Sequence, residues 1–285
     1  MHRGSLRLTI EVDVQILFSE DPSLVLDEAG EFLASDPVLH NLILTLLDQR
    51  VKHPQPGRYW LARKGDAICG VAFQSPLNFY ATITPMPFDV LTAVVDAIVD
   101  GGVTLPGVSG AVAPAAQFAG QWTERTKSAA VPLQGQRLYE AREVEKPKGV
   151  NGRLRTAGMQ DRDLILNWIF AFHDDIGQYG MDPTANVDQR LPAGMYRLWE
   201  DGEPVSMAGY VGPVEGVARI GAVYTPREKR RRGYGGACVS GLTEQLLERG
   251  LRPILYTDLG NPVSNSIYRR MGYRAVAEVL VYKFE

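Results

Sequence analysis

Between Val223 and Gly236 the chain reads V-Y-T-P-R-E-K-R-R-R-G-Y-G-G, a basic turn rich in glycine. Ahead of it, the apolar and β-branched run from Ala218 to Tyr224 predicts a strand that stops at Pro226. Behind it, apolar residues at Val239, Leu242, Leu246 and Leu247 predict a helix. Strand, glycine turn and helix, in that order, make an anion site. Gly233 and Gly235 can take positive φ and let backbone N–H groups approach closely, while the helix start adds the positive end of its dipole. A pyrophosphate suits such a cradle. The turn spells neither G-x-x-x-x-G-K-[ST] nor G-x-G-x-x-G, so the two commonest phosphate loops are excluded. A basic run such as Lys229 to Arg232 is usually a solvated face; the glycines turn it toward phosphate.

Downstream, Ile254 to Thr257 predicts a strand, Asn261-Pro262 breaks the chain, and a short helix runs from about Val263 to Met271. Gly272 ends that helix and Tyr273 opens a final strand. Arg230, Gly233 and Gly235 spell R-x-x-G-x-G, which resembles the coenzyme A loop of the GNAT (N-acetyltransferase) superfamily, [QR]-x-x-G-x-[GA], placed after that family's fourth strand. Asn261, Tyr268, Gly272 and Tyr273 resemble the family's later signature, N-x-x-[AS]-x-x-x-[YF]-x-x-x-G-[FY]. The resemblance covers residues 150–285 and is most specific from Val223 to Tyr273.

The resemblance implies acetyl-coenzyme A as co-substrate and an N-acetyltransferase acting by direct attack of a primary amine in a ternary complex. It places coenzyme contacts at Val223, Tyr224, Thr225, Arg230, Arg231, Arg232, Gly233, Tyr234, Gly235, Gly236, Asn261, Asn265 and Tyr268. It also implies a carbonyl-polarising backbone N–H near Val223, where the fourth strand splays from its neighbour. Acyl transfer to an amine needs a neutral amine, a polarised carbonyl and a proton for the leaving thiolate. An alkyl amine with a pKa of about 10.4 must first lose a proton, and a phenol of pKa about 10 is matched to protonate an alkyl thiolate. Tyr268 is the expected acid; packing in the core is the competing role. No carboxylate lies on the inner fourth strand, Val217 to Ala222, so the base is open among Glu215, Asp258, Glu285, His173 and water. Trp168, Phe170, Phe172 and His173 are candidates to line a pocket for a small-molecule amine. Two other readings remain: a coenzyme A sensor without turnover, and a transferase with a longer acyl or aminoacyl donor.

The elements that position these residues divide near Glu143 to Asn151, a polar stretch with Pro147 and Gly149 and no apolar periodicity. This predicts domains at 1–145 and 150–285. The second holds a short strand at Leu154, a helix from Asp161 to about Asp175, and strands at Met195 to Glu200 and Val205 to Val211. The first repeats the order faintly. A helical region spans Pro22 to Gln49, a hairpin pairs Tyr59–Ala62 with Ala67–Phe73, a strand runs Phe79 to Thr84, and helices cover Phe88 to Val99 and Ala115 to Thr126. Thr84-Pro85 echoes Thr225-Pro226, but only Met86 and Pro87 precede the next helix, so no R-x-x-G-x-G exists there. The expected fold is α/β (α+β): two GNAT-like domains, each a mixed, mostly antiparallel twisted sheet flanked by helices, the first degenerate and without a coenzyme site.

A net charge of −3 argues against nucleic acid. Cys69 and Cys238 stand apart in apolar surroundings and read as reduced core thiols, and His2, His40, His53 and His173 lack metal-ligand spacing. The longest uncharged stretch, Gly101 to Thr123, is broken by Pro106 and Pro114, so no membrane span is expected. The start carries no signal-like pattern, and the expectation is a cytoplasmic monomer or homodimer.

Overall fold

The computed structural model describes residues 13–177 and 182–285, so His2 and the chain start lie outside the described residues. The chain forms two compact units. Unit 1 takes the described residues up to Ser35 with Leu46–Leu133 and Val279–Glu285, and unit 2 takes Asp36–Thr45 with Gln134–Glu278. Each thus includes a segment from beyond the cut that the 143–151 linker suggests.

In unit 1, strands β1 (Val14–Ser19), β2 (Arg58–Lys64), β3 (Ala67–Gln74) and β4 (Ala81–Ile83) pair antiparallel in sequence order. Strand β5 (Gly107–Ala111) joins β4 in parallel. Val279–Lys283, the end of β12 (Arg274–Phe284), closes the edge antiparallel to β5. Helix α3 (Phe88–Asp100) is the crossover that a parallel pair requires, and its buried Val90, Leu91, Val94, Val95 and Ile98 recur at helical spacing. These side chains join Phe118 and Trp122 of α4 (Val112–Thr126) in one core. The continuous burial of Tyr59 to Ala62 marks a strand covered on both faces, the second by α1 (Pro22–Ser35) through Val25, Ala29 and Leu33.

Unit 2 has the same strand order and sense. Strands β7 (Arg153–Thr156), β8 (Tyr196–Asp201), β9 (Glu203–Val214) and β10 (Val217–Tyr224) pair antiparallel in turn. Strand β11 (Arg252–Asp258) joins β10 in parallel after the crossover α7 (Tyr234–Glu248). Gln136–Glu140, the end of β6 (Ala130–Glu140), closes this sheet antiparallel to β11. The closing strand of each sheet therefore follows the last helix of the other half of the sequence. One face of the unit 2 sheet carries α7 over Ala208, Tyr210, Ala218 and Ile220. The other carries α5 (Arg162–Asp175) and α6 (Thr184–Arg190), packed on Tyr196, Leu198 and Met207.

Several elements differ from their expected form. The region Pro22 to Gln49 is two helices, α1 and α2 (Asn41–Lys52), separated where Pro37 follows Asp36 and Asp36 Oδ1 accepts from the Leu39 N–H at 3.1 Å. Strand β4 is shorter than Phe79 to Thr84. Strand β5 was invisible among its glycines, whose absent Cβ atoms it needs: one on Gly107 would lie 2.1 Å from the Tyr282 carbonyl oxygen and one on Gly110 2.6 Å from Ile83. Strands β1 and β6 and helix α6 are also additions. No helix among the described residues is long and apolar enough to cross a membrane. Cys69 and Cys238 are free thiols, and burial raises the pKa of both.

Candidate active site

The pairing of β10 with β11 runs from Val217↔Arg252 to Ile220↔Leu255 and stops, although both strands continue. On its other side β10 carries a bulge: Gly221 faces Gly209, Tyr224 faces Met207, and Ala222 takes φ 48°. One extra residue between those pairs bends the strand and strengthens its twist. Gly221 to Tyr224 consequently has no strand partner on its β11 side, which is the splay expected near Val223.

The chain leaves β10 through Thr225 and Pro226 and reaches α7 at its N-cap, Gly233, with φ 83°. Arg231 is also left-handed, with φ 66°. Among the described residues, the backbone N–H groups of Arg231 to Gly236 have no hydrogen-bond acceptor, whereas Ala237 N–H already bonds the Gly233 carbonyl at 2.9 Å. Consecutive free donors on a left-handed turn at a helix start form an anion-binding nest. A Cβ on Gly233 would meet Val150 at 2.8 Å, and one on Gly235 would sit 3.2 Å from Thr225 Oγ1; Gly236 has open space to 3.9 Å. Gly233 is therefore favoured by both its positive φ and the crowding of Val150, whereas a Cβ at Gly235 would need Thr225 to give by a few tenths of an ångström.

Side chains hold the turn from beneath. Arg230 donates through Nε to the Thr225 carbonyl at 2.9 Å, lies over the Tyr224 ring at 5.7 Å, and pairs with Asp175 at the end of α5. Arg227 reaches the same carboxylate at 2.7 Å, and the two guanidinium groups hold the Asp175 pKa below its ordinary value. Thr225 Oγ1 bonds Ser206 Oγ at 2.8 Å. Tyr234 is buried, with its hydroxyl donating to Asp201 at 2.5 Å, so its backbone and not its ring is available to an anion. Arg231 and Arg232 are exposed at the rim.

Beyond β11, helix α8 (Pro262–Arg270) starts at Asn261, whose Oδ1 accepts from the Ser264 N–H at 3.0 Å. Asn265 is a buried tie: Nδ2 donates to the carbonyls of Asp258 and Asn261, both at 2.8 Å, and Oδ1 accepts from the Tyr139 hydroxyl at 3.0 Å. Both its amide hydrogens are used inside the protein. Tyr268 is half-buried. Its ring packs against Tyr139 at 6.4 Å and edge-on to Tyr273 at 5.8 Å, and its hydroxyl has no protein partner among the described residues. Desolvation pushes its pKa up to about 12.

Residues 199–281 match the family model described as FR47-like protein. No curated protein matches the chain. Among solved structures, a GCN5-related N-acetyltransferase from Sphaerobacter thermophilus aligns with TM-score 0.64 and 14% identity over 94% of each chain. An acetyltransferase from the GNAT family of Colwellia psychrerythraea aligns at 0.61 and 11% over 95% of this chain and all of that one. A tandem GNAT protein from the clavulanic acid biosynthesis pathway aligns at 0.55 and 10% over 95% and 98%. The fold is that of the GNAT acetyltransferases. Sequence identities this low carry the fold alone.

Within this GNAT fold, Asp175 and Ser206 fix the turn through contacts distant along the chain. In sequence the run His173-Asp174-Asp175 reads as a helix-end surface or pocket wall more than a base, and nothing local marks the tie of Asp175 or Ser206 to the turn. Of the base candidates, Glu215 sits in the β9–β10 turn, eight residues before Val223 and so on the order of 25 Å from it along the strand, which excludes direct proton abstraction. Asp258 ends β11 beside the opening and accepts from the Gly260 N–H at 2.7 Å. Glu285 belongs to unit 1 and pairs with Lys283 at 2.8 Å. His173, in the last turn of α5 beside Phe172, has a buried Nδ1 without a partner among the described residues. Trp168 packs on Tyr224 at 6.1 Å, whereas Phe170 is exposed. No group of three or more His, Cys, Asp and Glu fit for a metal ion occurs among the described residues.

Proposed function

We propose that the protein is an acetyl-coenzyme A-dependent N-acetyltransferase for a small-molecule primary amine, with its coenzyme site in unit 2. The observation that carries this reading is the row of unpaired N–H groups from Arg231 to Gly236, aimed from one turn beside an opening between β10 and β11. Such a row fits a pyrophosphate, and the residues present fit the coenzyme that the fold family implies. The turn would hold its phosphates and the opening its pantetheine arm; bound there, it supplies an acyl group on a thioester. Backbone N–H near Val223 polarises the acyl oxygen in this scheme. The amine nitrogen forms the new C–N bond as the C–S bond breaks, its proton leaves to solvent through Asp258, His173 or water, and Tyr268 gives a proton to the departing sulfur. A phenol with pKa about 12 stays protonated throughout the physiological range but is a weaker acid than free tyrosine, so its proton passes to the sulfur as charge develops there.

The repeated strand order supports a tandem arrangement in which unit 1 is a degenerate copy. Its counterpart of the turn is only Thr84 to Pro87: Thr84 Oγ1 accepts from the Val71 N–H at 2.9 Å, and Met86 is buried against Gly70. No anion cradle exists there. Titration calorimetry of the full chain with acetyl-coenzyme A is expected to give one site per chain, and mass spectrometry over an amine library an acetylated product. Two sites would overturn the degenerate reading. No binding would overturn the whole proposal, and binding without any product would favour a sensor.

A further inference from the structure

Arg219 lies in the middle of β10, opposite Val211 on one side and Ile254 on the other. Alternation puts it on the α5/α6 face with Val217, whose neighbours Val38, Leu138 and Ile254 form an apolar cluster. Arg219 is half-buried beside these side chains, and a partly desolvated guanidinium favours a carboxylate partner. Among the described residues Arg219 has none. Its hydrogen bond is a long one, Nη1 to Asn41 Oδ1 at 3.4 Å, and the other charged side chain acting on it is a second cation, Arg190 at the end of α6. Arg190 also forms no ion pair among the described residues; its charge acts on the Tyr196 phenol.

Asn41 supplies an independent observation. It is 1% exposed, its Oδ1 is shared between Arg219 and Thr45 Oγ1, and its Nδ2 has no partner among the described residues. A buried amide that leaves two donors unused is destabilising unless something fills the place. Tyr256, on β11, adds a phenol whose pKa burial raises and Arg219 partly restores. The cluster is rich in donors and has no anionic acceptor.

Its position connects it to the site. Ile220↔Leu255 is the last pair of the β10–β11 ladder, so Arg219 stands just before the opening and Tyr256 just after it. Val223 lies four residues further along β10, on the order of 13 Å away. We infer that the acceptor amine carries a carboxylate at the end remote from its nitrogen, received by Arg219 with Arg190 and Asn41 Nδ2 at the foot of the β10–β11 opening. The planar fork of a guanidinium matches the two oxygens of a carboxylate, and the Asn41 amide adds a donor from the side. The inference rests on the acyl-transfer reading of the same site.

The test uses the full chain and matched amine pairs: amino acids and ω-amino acids, each against its own carboxamide, with phosphorylated amines as a third arm. Acetylation kcat/KM is expected to favour the carboxylates at least about tenfold, chiefly through KM. Arg219→Gln is expected to erase that preference while leaving coenzyme A affinity unchanged, and Arg219→Lys to keep part of it. Removal of an unpaired cation is expected to leave the melting temperature unchanged or raise it, whereas a structural arginine would lower it. Melting-temperature shifts by the carboxylates, present in the native chain and lost in Arg219→Gln, give the same answer without turnover. Equal handling of carboxylate and amide by both readouts, or a preference confined to the phosphorylated amines, would overturn the inference. Loss of coenzyme A binding in the native chain would instead sink the transferase reading, leaving the melting shifts to decide the carboxylate site by themselves.

Discussion

Replacing Tyr268 by phenylalanine separates chemistry from packing. The ring contacts with Tyr139 and Tyr273 survive the change, and no protein group among the described residues bonds the Tyr268 hydroxyl, so its loss orphans none of them. Stability should therefore change by less than about 0.5 kcal/mol, the range of substitutions that break no named interaction. If the hydroxyl delivers a proton to the leaving sulfur, turnover should fall ten- to a thousandfold, equivalent to about 1.4–4 kcal/mol of transition-state stabilisation. Coenzyme A affinity should hold. The assay is single-turnover acetylation of the best amine, or hydrolysis of acetyl-coenzyme A, beside calorimetric binding and a thermal melt. Tyr139→Phe is the contrast: it removes the donor to Asn265 Oδ1 at 3.0 Å and should cost about 1–3 kcal/mol of stability. Unchanged turnover in folded Tyr268→Phe would refute the assignment of the acid.

Gly233→Val should lower coenzyme A affinity at least tenfold by calorimetry: a β-branched residue at φ 83° is strained by roughly 1–2 kcal/mol, and its Cβ would crowd Val150. Arg227→Val should matter little to binding, because the Arg227 side chain is 78% exposed in its pair with Asp175. Asn265→Ala should destabilise by roughly 2–4 kcal/mol in denaturant melts, since it strips the Asp258 and Asn261 carbonyls and the Tyr139 hydroxyl of their partners. An unfolded tyrosine ionises near pH 10 and Tyr268 near 12, so the contribution from keeping it neutral is complete below pH 10 and lost as pH rises through that window. Alkaline melts of Tyr268→Phe should show a shallower decline than the native chain above pH 10; parallel curves would contradict the burial of that phenol.

The glycine turn was legible because its chemistry is local: strand, basic run, two glycines and helix lie within one continuous stretch, and φ 83° at Gly233 expresses a freedom written in its residue type. The same holds for α3, α7 and α8, whose apolar spacing or breaker residues act over a turn or two. The repeated order of elements was legible in part, but β5 hid because its glycines answer to Ile83 and Tyr282, contacts that no window of sequence displays. Which strand closes each sheet was beyond reach for a like reason, since the partners of β5 and β11 come from the far ends of the halves. Asn265 shows what tertiary structure adds to a motif residue: its type and spacing are written in the sequence, and only the folded chain spends both amide hydrogens on carbonyls. Arg219 shows the reverse. In sequence it is one charge in a strand, and only the fold sets it half-buried beside Arg190 and Asn41 with no carboxylate partner among the described residues, the arrangement on which the proposed carboxylate subsite rests. Residue type decides what chemistry a side chain can perform; long-range packing decides which of its hydrogen bonds and charges are left free to perform it.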